Sequence, residues 1–144
     1  MKPGKFLETL RHDEIVAAIR AAEAKTSGEI RVFVSHKTTD DAVAAAQAAF
    51  ERLGMVKTRH RNGVLIFVAP RARKFAVIGD AAVHKKCGDA FWRALAAEMS
   101  GHFKNAEFMA GILHAIQKAG ALLAEHFPPT PGDTNELSNR VAED

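Results

Sequence analysis

The 144-residue chain contains one cysteine, one tryptophan and no tyrosine. With Cys87 alone, no intrachain disulfide forms and no thiolate metal cluster can be built from a single chain. Long apolar runs are missing as well. The longest, residues 63–70, falls far short of the roughly 18 residues that a membrane-spanning helix needs. The amino end, MKPGKFLETLRHDE, has charge where an export signal carries its apolar segment, so the expectation is a cytoplasmic protein. No acidic D-x-D-x-D loop, H-E-x-x-H helix, phosphate-binding glycine loop or nucleophile elbow is present, which removes the motif-level case for several hydrolase classes. The seven histidines lack ligand spacing: His102, His114 and His126 fall twelve residues apart, so zinc is not expected.

What is present is an ordinary globular balance, 47% hydrophobic and 26% charged, at a length that suits one domain burying about two thirds of its unfolded surface. Charge is uneven. Residues 1–127 hold 19 Lys and Arg against 13 Asp and Glu, a net +6, while residues 128–144 hold one Arg against four acids, a net −3. The tail PPTPGDTNELSNRVAED has almost nothing apolar to anchor it. The expected organisation is therefore one α/β domain over residues 1–128 and a disordered acidic tail over 129–144.

Residues 12–26 place Ile15, Ala18, Ile19 and Ala22 on one helical face. EIRVFVSH, residues 29–36, alternates and is rich in β-branched residues, so a strand is expected, with Phe33 implying burial on its second face too. Thr39, Asp40 and Asp41 offer N-cap oxygens to a helix over 41–53 whose inward stripe is Val43, Ala46, Phe50 and Leu53. GVLIFVA is a continuous apolar strand, expected at the centre of a sheet covered on both faces. The short RAR connection makes KFAVIG an antiparallel third strand. After a connection through residues 84–89, helices are expected over 89–100, with Phe91, Trp92, Leu95 and Met99 inward, and over 106–126, with Asn105 as cap. The order implies a three-layer α/β/α sandwich: a small mixed sheet, one right-handed βαβ crossover and one antiparallel hairpin strand.

Strand direction then decides which residues meet. The first two strands start at one edge and the third ends there, collecting Glu29, Arg59, Arg61, Asn62, Asp80 and the 84–89 loop. His36, Lys37, Asp40, Asp41, Arg71, Arg73 and Lys74 fall at the opposite edge, roughly 23 Å away. Two separated basic clusters, without interleaved aromatics, count against a nucleic-acid groove. Carboxylates beside arginines at the first edge can hold a hard cation, Ca²⁺ or Mg²⁺, and grip a phosphate. That is the equipment of metal-assisted phosphoester hydrolysis, with Glu29, Asp80 and Asp89 as metal ligands, Asp80, Asp89 and Arg61 as catalytic groups, and Asn62 and Trp92 lining the pocket. Each has a plainer reading: Asp89 as the cap of the following helix, Asp80 as a turn residue, Glu29 in water or beside Arg31, Trp92 in the core.

Taken together, TSGEIRVFV (26–34), RNGVLIFVA (61–69), AVIGD (76–80), FW (91–92) and HFKNAEFMAGILHAIQKAGALLAEHFP (102–128) resemble the TPM domain, found in thylakoid-lumen repair proteins and in many bacterial proteins. The resemblance runs from about residue 12 to residue 128. It implies the same three-layer sandwich, and it implies a divalent-cation-dependent, phosphatase-like hydrolase or, as the alternative, a non-catalytic cation- or protein-binding module. Glu29, Asn62, Gly63, Asp80 and Asp89 match the polar positions of the family. The chain departs from longer lumenal members, which carry an aspartate-bearing extended segment before the first helix. The implied partners are a phosphate-bearing small molecule or another protein, with no organic cofactor.

Overall fold

A computed structural model describes residues 12–58, 61–70, 74–104, 107–129 and 141–143; within these, the side chains of Cys87, Asp89, Phe103, Lys104, Phe108 and Glu143 lie outside the description. Helix α1 spans His12–Glu23, strand β1 Glu29–Val34, helix α2 Ala42–Arg52, and a 3₁₀ turn Met55–Lys57. Strands β2 (Gly63–Ala69) and β3 (Lys74–Gly79) follow, then helices α3 (Ala81–Lys104) and α4 (Phe108–His126) and a two-residue strand β4, Ala142–Glu143.

The sheet order is β3-β2-β1-β4. β1 and β2 are parallel, with Glu29 opposite Gly63, and β3 is antiparallel to β2, with Gly79 opposite Val64. Every residue of β2 is buried, as its unbroken apolar sequence demands of a strand covered on both faces. Ile30, Val32, Val34, Val64, Ile66 and Val68 face one core with Ile15 and Ile19 of α1, Leu95 and Met99 of α3, and Ile112, Ile116 and Leu123 of α4. Phe33, Leu65, Phe67 and Ala76 face a second core with Ala46, Ala49 and Phe50 of α2. Phe33 and Phe67, neighbours across β1 and β2, stack with ring centroids 5.6 Å apart. The α/β/α sandwich read from the sequence is the fold.

Local expectations shift at two places. Val43 is 51% exposed rather than inward. Residues 42, 45, 46, 49, 50 and 53 form the packed stripe, and Val43 lies about a quarter turn off its middle. Asp41 does cap α2, its Oδ1 accepting the Ala44 N–H at 3.1 Å. The 84–89 segment is helical, not a loop. The Asp80 side chain accepts the Ala81 N–H at 2.7 Å and its carbonyl accepts the His84 N–H at 2.9 Å, so α3 starts at once and breaks only at Gly88, φ 71°. The expected cap Asn105 lies outside the described residues, and α4 opens after Glu107. The acidic tail, expected without structure, has one described segment: Ala142–Glu143 pairs in parallel with Phe33 and Val34. Residues 130–140 of that tail lie outside the described residues.

Candidate functional site

The edge at which β1 and β2 begin and β3 ends gathers most of the buried polar residues: Thr26, Glu29, Thr58, Asn62 and Asp80 are each 5% exposed or less. Glu29 is therefore neither solvated nor peripheral. Burying a carboxylate is costly without compensating groups, so its 3% exposure marks a position the fold has built around.

Asp80 is held by three hydrogen bonds. Arg61 Nε donates to Oδ2 and an Arg61 terminal nitrogen donates to Oδ1, both at 2.8 Å, and the Ala81 N–H completes the set. This fork-to-fork contact is the geometry in which a guanidinium and a carboxylate bind most strongly. Asp80 raises the Arg61 pKa through that hydrogen bonding, and the guanidinium stays charged. Arg61 itself sits at φ 51°, a left-handed conformation rare for a non-glycine residue, locked by its N–H to Thr58 O at 3.3 Å and by its carbonyl accepting the Ala82 N–H at 3.2 Å. The first two amides of α3 are consumed in this way, so the helix start is closed rather than open to an anion. The Arg61 side chain remains 50% exposed. A guanidinium carries five N–H donors, and two of these go to Asp80.

Glu29 and Asp80 flank Gly63 on the same sheet face, two strand spacings apart, or about 10 Å at the backbone. The residue missed by sequence reading is Glu23. Its Oε2 accepts the Ile30 N–H at 2.9 Å, and its pKa is raised to about 7, first by burial and further by the nearby Glu29 carboxylate, against the lowering effect of that hydrogen bond. The visible signal was two glutamates flanking a TSG turn at the end of a helix, a turn that folds the first back toward the second.

The turn is pinned by Thr26. Its hydroxyl donates to the carbonyl of Phe127, with that of Leu123 3.0 Å away, and accepts the Gly28 N–H at 3.0 Å. Asn62 donates to Ser27 Oγ at 3.2 Å, tying the β2 entry to the same turn. Trp92 is in the core, edge-on to Phe91 at 5.0 Å and against the strand end at Gly79. Asp89 follows the break in α3 at Gly88, and its side chain lies outside the description. Among the described residues no group of three or more His, Cys, Asp or Glu is placed to hold a metal ion. The edge thus unites Glu29, Asn62, Arg61 and Asp80 and adds Glu23.

A three-layer sandwich with a short mixed sheet and polar groups clustered at the strand ends defines a class of α/β/α domain. The chain belongs to the TPM domain family, whose profile matches residues 2–122. It is similar to the BA42 protein of the psychrophilic bacterium Bizionia argentinensis, an NMR structure with 37% identity, 92% of each chain covered and a TM-score of 0.84. The N-terminal domain of a P. gingivalis protein shares the fold at 14% identity, covering 81% of this chain and 76% of that one with a TM-score of 0.60. No curated protein matches the chain. No helix among the described residues is long and apolar enough to cross a membrane.

Proposed function

We propose that this TPM domain is a phosphatase-like hydrolase of the cytoplasm that acts on a phosphate-bearing small molecule with a divalent cation. The observation that carries the reading is the placement, at the same end of the sheet, of a half-exposed guanidinium held by Asp80 and of two interacting carboxyls, Glu23 and Glu29, the first titrating near neutrality. Arg61 grips a phosphoryl group with the donors that Asp80 leaves over, and Asp80 positions Arg61. Glu23 supplies a proton or takes one, its pKa of about 7 being suited to general acid–base work at neutral pH. Glu29 is the oxygen ligand for the cation. One carboxylate, completed by water and phosphate oxygens, fits a Mg²⁺-like arrangement better than a Ca²⁺ cage of about six to eight oxygens. When bound, such a cation polarises a phosphoryl oxygen. Three hydrogen bonds already occupy Asp80, so its part is to hold Arg61 rather than to act as ligand or base.

That same occupancy favours a second reading, in which the edge holds a cation or a partner protein without turnover. Hydrolysis of an aryl phosphate between pH 5 and 8, with Mg²⁺, Ca²⁺ or Mn²⁺ added, separates the two. Turnover that collapses in Arg61→Gln supports the hydrolase; equal rates in the two proteins remove it. A cation-dependent rise in melting temperature without turnover supports the second reading.

A further inference from the structure

The outer edge of β1 carries a relationship that the hydrolase reading leaves unused. Odd-numbered amides at the two ends of this strand bond toward β2: Glu29 N–H to Asn62 O at 3.4 Å and Ser35 N–H to Val68 O at 2.8 Å. The even-numbered amides between them point the other way, to the outer edge. At one end the Ile30 amide is taken by the Glu23 carboxylate. Toward the other, Ala142–Glu143 lies in parallel register with Phe33 and Val34. Val141 packs on the core shared by α1 and α4, while Ala142 packs on the α2 core, so consecutive side chains of this segment enter opposite faces of the sandwich.

We infer that the outer edge of β1 is a strand-accepting site for an extended peptide, and that residues 141–143 of the chain occupy it as an internal competitor. Strand addition draws its affinity from main-chain bonds and its selectivity from alternate side chains entering opposite faces. The Val141 and Ala142 positions define that selectivity as an apolar residue followed by a small one. The parallel register runs toward Lys37 and sets the backbone of the acidic Glu143 opposite Val34. The cis ladder is short. A two-residue strand offers only a few bonds, whereas the edge of β1 beyond the Ile30 amide that Glu23 takes is long enough for a longer visitor. Tethering compensates, because an attached segment acts at an effective concentration in the millimolar range. A strand that is filled at rest is also guarded against edge-to-edge pairing.

The test keeps the full chain. Ala142→Pro removes a strand amide without changing length or charge. A peptide of residues 137–144, LSNRVAED, is titrated into wild type and variant and followed by backbone amide shifts. Expected are saturating shifts confined to residues 30–35 in the variant, and a concentration at least tenfold higher to reach the same response in the wild type. No shift at residues 30–35 in the variant, or equal saturation in both proteins, overturns the inference. Should the variant fail to fold, amide exchange in the wild type decides: protection at Val34 at least tenfold above that at Lys37 is expected, and none overturns it.

Discussion

Arg61 and Asp80 are joined at two points, with both N···O distances at 2.8 Å, across the gap between the β2 entry and the β3 exit. The arginine is half exposed and in a left-handed backbone conformation, while the aspartate is 4% exposed in its side chain and caps α3. The aspartate therefore does two jobs that mutation can separate. Asp80→Ala removes cap and ion pair together and is expected to cost about 2–3 kcal/mol. Asp80→Asn keeps a capping oxygen and weakens only the pair, so it is expected to cost less. Urea midpoints measure both; equal losses would show that the cap contributes nothing.

Glu23 makes stability depend on pH. Its folded pKa, about 7, lies above the ordinary carboxyl value of 4.5, so the folded state favours the protonated form. That contribution is complete below about pH 4.5 and is lost as pH rises through 7. Glu23→Gln keeps an acceptor for the Ile30 N–H and cannot ionise. The variant is expected to match the wild type near pH 4.5 and to exceed it at pH 8, in denaturant midpoints taken across that range. A parallel pair of curves would refute the assignment.

Gly79→Ala tests how closely α3 rides on the strand that delivers Asp80. An added Cβ would stand 2.9 Å from Val83 Cγ1 and 3.1 Å from Trp92 Cζ2, closer than packed atoms tolerate. Overpacking of this kind costs about 1–3 kcal/mol, and Trp92 fluorescence should shift with it.

Thr26→Val preserves volume and deletes the hydroxyl that bridges the C-terminal end of α4 to the turn before β1. Buried groups left unsatisfied cost about 1–3 kcal/mol, so Val should destabilise by that amount and Thr26→Ser by much less. Thermal melts of the two variants discriminate hydrogen bonding from packing.

Much of this was legible beforehand. The alternation in EIRVFV, the unbroken run GVLIFVA and the short link to KFAVIG dictate two parallel strands and one returning strand, and that geometry alone brings Glu29, Asn62 and Asp80 to one edge. Periodicity is a local property, written in residues a few positions apart. What only the tertiary structure decided is which polar atom meets which. Glu23 finds the Ile30 amide, Asp80 is filled by Arg61, Glu29 is sealed from water, and the chain end returns to the edge of β1. Those partnerships depend on distances between elements far apart in the chain, where a few ångströms decide between a solvated carboxylate and a buried one.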